Sequence, residues 1–482
     1  MVVSSELPKR ALIGGEWIDG GGGDTLQTRS PWSNEIVNEL ACCGPEDVDS
    51  AVEAARAAQP EWAAVPLLDK VDLLYRIAAL VDERREEIAR TISLEVGKTI
   101  RTTRQELEEF VAPSYRRAAE DLLRHRGALL PSTQERSNDK RLVVTRRPLG
   151  VIGLITPYNF PVDIASISIG YALAAGDTVV WKPSEYAPTS CAMLAEILAD
   201  AGLPPGAVNL LIGRGDVGQA MVEHPGIAGI SFTGSTPTGI AITQRAGLKR
   251  LLLELGGNGP QIVLADADLD RAVDGAMQGC WYLSGQCCTA AETLLVDDSV
   301  HDAFVEKLRS RTAELTCGDP LDEETDVGPL CNEGTLRLVT SHVEDARAKG
   351  AEITTFGEPD GLFYPPTILT GVTQEMTIAN EETFGPVAPI LSFRDTREAI
   401  EIANGTGFGL NASVYTESLS DAWRVGEALE HGTVLINEST NYWDQLAPFG
   451  GAKQSGVGRE LSTWALDAFS EPKLLVFDLG HE

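Results

Sequence analysis

The chain has 482 residues, 43% of them hydrophobic, with 71 acidic against 39 basic side chains and a net charge of −32. That length supports two or three packed units with sizeable cores, and that charge repels phosphate backbones and anionic lipid, which argues against nucleic acid and membrane as partners. The opening MVVSSELPKRALIGG lacks the apolar core of a signal peptide, and no run reaches about 18 uninterrupted apolar residues; we expect a soluble, cytoplasmic protein. The cysteines stand at 42, 43, 191, 280, 287, 288, 317 and 331. Two adjacent pairs and four singles do not form a disulfide framework.

Along the chain, a Gly-rich turn at 20–23 precedes amphipathic stretches at 48–58 and 67–90. The second carries Leu73, Leu74, Ile77, Leu80 and Val81 at helical spacing, and a third helix is predicted over 103–126. From 142 onward short apolar runs alternate with helical patterns: LVVT, GVIGLIT, DTVVWK, AVNLLIG and GISFT, then PQIVLA, TLLVDD and TVLIN. Strands alternating with helices predict an α/β fold with parallel sheets. The terminal KLLVFDL reads as an exposed strand, which needs a partner such as another subunit.

Several segments carry candidate chemistry. GRGDVG at 213–218 matches G-x-G-x-x-G, but no ribose-binding acid follows at about 20 residues, so it reads as a tight strand-to-helix turn. SFTGSTPTG at 231–239 ends a strand and opens a helix, whose N–H groups with Ser235 and Thr236 suit either a pyrophosphate or an ordinary cap. VVWKPSE places Lys182 and Glu185 at a strand's C-terminal end, as ribose contacts or as a surface ion pair. DADLD at 266–270 lacks the glycine and glutamate of a calcium loop and reads as a helix cap. The six histidines show no metal-ligand spacing and there is no G-x-S-x-G elbow, so no metal is expected and cysteine is the favoured nucleophile. SGQCCTA at 284–290 offers two of them. Glu254, among apolar residues in LLLELGGNG, is a base candidate, because a buried carboxylate is costly unless used. Asn159, in the stiff PYNFP loop, can donate to an oxyanion.

PYNFP, KPSE, FTGSTPTG, LELGGNG, SGQCCTA, NEETFGPV and PFGGAKQSGVGRE occur in the order and approximate spacing of the aldehyde dehydrogenase superfamily. The sequence resembles a hydrolytic, NAD(P)-dependent member over essentially its whole length. The resemblance implies an atypical Rossmann cofactor domain (1–127 and 146–255), an α/β catalytic domain (256–450) and a small β oligomerisation arm (128–145 and 451–482), assembled as a homodimer or homotetramer. It makes Cys288 the nucleophile, Glu254 the general base and Asn159 the oxyanion donor. It lines the cofactor site with Thr156, Pro157, Tyr158, Lys182, Ser184, Glu185, Gly215, Phe232, Gly234, Ser235, Leu255, Glu382 and Phe384, with NAD expected and NADP as the second option. It lines the substrate site with Ile164, Ile167, Cys287, Thr289, Trp443 and Phe449. Two departures stand out: Tyr158 where the family often has tryptophan, and Asn258 where lysine is usual.

The expected reaction is oxidation of a small-molecule aldehyde to its acid through a thiohemiacetal and thioester on Cys288. Acylation of coenzyme A is a rival that needs no water-activating base, so Glu254 argues against it. A non-catalytic protein that kept the fold, and a Cys287–Cys288 redox pair, are weaker readings. The resemblance places Tyr442, Trp443, Glu438, Asp444 and Asp163 near the substrate entrance, where acids and apolar surface favour uncharged aliphatic or aromatic aldehydes. A semialdehyde or other anionic aldehyde is the alternative, through Arg116 or Arg117; their competing role is pairing with Glu120 and Asp121.

Overall fold

The computed structural model describes residues 7–134 and 139–480. Residues 1–6 of the expected cofactor domain, 135–138 of the expected arm and the last two residues lie outside the described residues.

Among the described residues, three larger sheets and one two-stranded antiparallel sheet, Thr25–Arg29 with Ile36–Ala41, organise the chain. Buried runs with no polar alternation form the strands Val151–Ile155, Thr178–Lys182, Val208–Leu210, Gly229–Thr233 and Arg250–Glu254. These five are parallel, and in space Arg250–Glu254 neighbours Gly229–Thr233, then Val151–Ile155, Thr178–Lys182 and Val208–Leu210. The order therefore reverses between Val151–Ile155 and Gly229–Thr233, and ligands bind at such a switch point, beyond the carboxyl ends of the strands. The short hairpin Ala11–Ile13 and Glu16–Ile18 extends one edge, turning on Gly14 and Gly15 at φ of 61° and 85°. Gly456–Val457 pairs antiparallel with Arg250–Glu254 at the other edge, so part of the segment expected in the arm completes the first sheet instead.

A second sheet follows from residue 260, with six parallel strands, Pro260–Val263, Thr293–Asp297, Thr367–Thr370, Val387–Phe393, Asn411–Tyr415 and Thr433–Ile436, and an antiparallel edge strand Glu352–Thr355. The two sheets meet where the chain passes from Glu254 to Pro260 through Gly256 and Gly257.

The third sheet is antiparallel: Ser470–Asp478, Lys140–Pro148 and Ala128–Leu130. KLLVFDL thus finds its first partner in its own chain, Leu474 opposite Val144. Among the described residues its other edge has no strand partner, and Leu474, Val476 and Phe477 are half exposed.

Two helix predictions are corrected. The stretch 67–90 is two helices, Leu67–Glu83 and Arg85–Val96, broken at Arg84, whose guanidinium bonds Glu87 at 3.2 Å and Glu196 of another helix at 3.0 Å. The stretch 103–126 is Ile100–Glu106, a π turn Leu107–Val111 and Ala112–Arg124. Pro113 has no N–H to give the preceding turn, which widens there. Among the described residues, no helix is long and apolar enough to cross a membrane.

Candidate active site

The cleft at the switch point has a cavity volume of about 540 Å³. One wall is the loop after Val151–Ile155, carrying Thr156, Pro157, Tyr158 and Asn159; the opposite wall is Phe232, Thr233, Gly234 and Ser235. Thr156 is pinned by its N–H on Lys182 O at 3.2 Å and by Trp181 Nε1 on its hydroxyl at 2.9 Å. Ser235 holds the N-cap position of the helix Thr236–Arg245, with Pro237 in the first turn, and Ser235 and Thr238 line the cleft, so the helix begins at its wall. Lys182, Ser184 and Glu185 close that end. Lys182 is buried, its ammonium donating to Pro183 O at 2.9 Å, which excludes the surface ion pair.

Gly215 sits in an adjoining hollow of about 330 Å³, with Lys182, Glu185 and Phe232. Leu255 lies apart from both walls. It is buried beneath Gly239, where a Cβ would come within 2.4 Å of its side chain, so it packs the helix Thr236–Arg245 onto the sheet.

At the far end stand Glu382 and Phe384. Glu382 accepts from Gly257 N at 3.0 Å, and a Cβ on Gly256 would collide with its carboxylate at 2.4 Å. Phe384 has φ of 56°, a left-handed conformation that a bulky residue adopts only when held. The holder is Glu292, whose two oxygens accept from Thr383 N at 2.7 Å and Phe384 N at 2.8 Å. Asn258 ties the same loop down, donating to Glu381 O at 3.0 Å and accepting from the Thr293 hydroxyl at 2.9 Å. The buried acid Glu292 had no signal in the sequence.

The turn that leads into Cys287 and Cys288 is strained. Leu283, Ser284 and Gly285 take φ of 51°, 55° and 73° in succession. A Cβ on Gly285 would meet Gly385 O at 2.0 Å, so only glycine fits. Gln286 locks the turn, donating to Leu283 O at 3.2 Å and accepting from Cys331 N at 2.9 Å. Tyr158 adds its hydroxyl to Gln286 Oε1 at 3.3 Å, a bond that a tryptophan's ring nitrogen would have to replace. Asn159 spends one amide N–H on Gln286 O at 3.0 Å, leaving the other for a ligand.

Behind the cysteines runs a second, narrower chamber of about 40 Å³. Its walls hold all six residues expected at the substrate site: Ile164, Ile167, Cys287, Thr289, Trp443 and Phe449. Phe160, Asp163, Thr233, Glu460 and Leu461 also line it. Cys287 faces this chamber only, its sulfur 3.1 Å from the Thr289 hydroxyl, whereas Cys288 and Glu254 face both the chamber and the cleft. Burial, then the nearby Glu460, pushes the Glu254 carboxyl well above the usual carboxylate range. The Cys287 neighbour, burial and Glu254 likewise hold Cys288 above the ordinary thiol range. Arg116 and Arg117 stand outside both walls, held by Asp82 and, at 2.8 Å, by Glu120.

The Aldehyde dehydrogenase family's sequence model matches residues 17–475. The chain belongs to this family. It is 39% identical to a succinate-semialdehyde dehydrogenase [NADP(+)] of Escherichia coli, covering 99% of each chain. It is 39% identical to a betaine aldehyde dehydrogenase of Sinorhizobium fredii, covering 97% of each. The solved betaine aldehyde dehydrogenase of Staphylococcus aureus with NAD+ superposes with a TM-score of 0.95 at 33% identity, over 99% of this chain and 96% of that one. This aldehyde dehydrogenase is an oxidoreductase that uses NAD or NADP to oxidise an aldehyde.

Proposed function

We propose that Cys288 is the nucleophile, Glu254 the general base and Asn159 the oxyanion donor, acting on uncharged aldehydes with NAD preferred. The observation carrying this reading is that Cys288, not Cys287, stands where the cofactor cleft opens into the inner chamber. The cleft fits a dinucleotide: a helix N-terminus for the pyrophosphate, Lys182 and Glu185 for a ribose, and the close approach of Glu382 to Gly256 for the second ribose. NAD(P) supplies the hydride acceptor when bound. Glu185 accepts hydrogen bonds from free ribose hydroxyls and repels a 2′-phosphate, which favours NAD; Lys182 offsets part of that repulsion.

The protein's own groups then act in sequence. The Cys288 thiol gives up its proton to solvent, and the thiolate sulfur adds to the aldehyde carbon. The Asn159 amide and the Cys288 N–H donate to the resulting oxyanion. After loss of hydride the acyl group is held on sulfur as a thioester. Glu254 removes a proton from water, which attacks the thioester carbon and expels the Cys288 thiolate.

The chamber walls carry acids and apolar surface and no lysine or arginine, which supports uncharged over anionic aldehydes. Relatives named for succinate and glutarate semialdehyde favour the anionic alternative. The edge of Ser470–Asp478 that has no strand partner among the described residues supports a homodimer or homotetramer; a cytoplasmic location and the three-domain division, with Gly456–Val457 moved to the first sheet, are kept as part of this reading. The test is aldehyde-dependent NADH formation with acid product, together with iodoacetamide labelling mapped by mass spectrometry. Label on Cys288, blocked by substrate, is expected; label confined to Cys287, or higher kcat/KM with NADP, overturns the corresponding assignment.

A further inference from the structure

Asp163 occupies a place that the reaction does not explain. It is the first residue of the helix Asp163–Ala175, directly after the N-cap residue Val162. Its side chain is on the wall of the inner chamber, 1% exposed, and Oδ1 has no hydrogen-bond partner. A buried oxygen left unpaired is costly.

The neighbours decide what that carboxyl can bind. Glu106, Glu460 and Lys98 face it. Lys98 is already committed: it pairs with Glu106, donates to Asn159 O at 3.3 Å and lies 3.7 Å from the centre of the Phe160 ring. Burial first, then the adjacent Glu106, raises the Asp163 carboxyl well above its ordinary range. A protonated carboxyl offers one donor and one acceptor, and so does a hydroxyl. The 40 Å³ chamber has room for about three water-sized groups, since one needs roughly 10–15 Å³.

We propose that Asp163 is a specificity-determining residue that hydrogen-bonds a hydroxyl on a short aldehyde bound at Cys288. Short hydroxyaldehydes are then preferred to their unsubstituted counterparts. This rests on the reading of Cys288 as nucleophile and sharpens its substrate class. A substrate ammonium is a poorer match, because Lys98 already places one cation in the same buried cluster and a second would have to leave water beside it.

The test compares kcat/KM for 3-hydroxypropanal, propanal and 3-aminopropanal in the parent, Asp163→Asn and Asp163→Leu proteins. The parent is expected to favour the hydroxyaldehyde by at least about 10-fold, as sites built to bond a substrate hydroxyl do. Asp163→Asn, which keeps a donor and an acceptor, is expected to retain most of that ratio, and Asp163→Leu to bring it near one. A parent ratio near one, or a ratio unmoved in Asp163→Leu, overturns the proposal, as does a preference for 3-aminopropanal lost in Asp163→Asn. If Asp163→Leu does not fold, product inhibition of the parent decides: 3-hydroxypropanoate must bind more tightly than propanoate, and equal inhibition overturns the proposal. Absence of turnover with every aldehyde counts against the Cys288 reading itself, whereas equal turnover of propanal and 3-hydroxypropanal counts against Asp163 alone.

Discussion

Replacing Glu292 by alanine is expected to weaken cofactor binding while leaving the thiol chemistry in place. The carboxylate is fully buried and accepts two N–H groups, from Thr383 and Phe384, so its loss strands both. Each stranded donor costs ~1–3 kcal/mol. Against this, removal also relieves the burial that raises the Glu292 carboxyl to about 7. Letting Phe384 leave its φ of 56° returns a further ~1–2 kcal/mol of strain. Releasing the loop is therefore far cheaper than unfolding the domain, and the loop that carries Glu382 and Phe384 shifts out of position. A loss of ~2 kcal/mol in the competent arrangement raises the apparent cofactor Kd by about 30-fold. Isothermal titration with NAD and steady-state KM for NAD at saturating aldehyde measure it, with thiol labelling of Cys288 as the control. A folded Glu292→Ala protein with unchanged cofactor affinity would refute the reasoning.

Cys288→Ala is expected to abolish aldehyde oxidation, while Cys287→Ser keeps most of it; the reverse pattern would show that the wrong sulfur has been placed at the junction. Glu254→Gln should lower steady-state turnover by ~10²–10⁴-fold, and rapid mixing should still show an NADH burst near one per site if Glu254 serves only hydrolysis; undiminished turnover contradicts its role as base. Glu460, raised to about 7 by burial, has a native pKa above its unfolded value. Its contribution to stability is therefore fully present at acid pH and is lost as pH rises through about 7, up to about 3 kcal/mol. Glu460→Gln should accordingly gain on the parent in urea midpoint between pH 5.5 and 8.5, and parallel curves would count against it. Deleting 474–482 removes most of the strand paired with Lys140–Pro148 and is expected to dissociate or aggregate the protein; unchanged mass in sedimentation with full activity rules that out.

The parallel strands were legible because burial on both faces writes them as continuous apolar runs; GISFT and TLLVD occupy the expected strand positions. The helix breaks were not, because neither is marked by hydrophobic periodicity. Arg84 ends its helix through ion pairs with Glu87 and Glu196, the second of them 112 residues away. Pro113 was visible, but a proline near a helix start is compatible with an unbroken reading until the π turn at Leu107–Val111 is seen. The hairpin at 11–18 was missed because strands of three residues are too short to show a period.

The candidate site divides along the same line. Its motifs could be read because glycine, proline and cysteine are scarce in chemically meaningful patterns: Gly256 has no space for a Cβ beside Glu382, and Gly285 none beside Gly385. Glu292, Asp163 and Glu460 carry no such mark. In a chain with 71 acidic residues an isolated carboxylate reads as solvated surface, and only tertiary packing turns it inward. What separates these three is the company each keeps. Glu292 is satisfied by two backbone N–H groups and so holds a loop, whereas Asp163 and Glu460 each keep an unpaired oxygen on the chamber wall. A satisfied buried acid is a structural brace; an unsatisfied one on a chamber wall keeps bonding capacity for whatever enters the chamber.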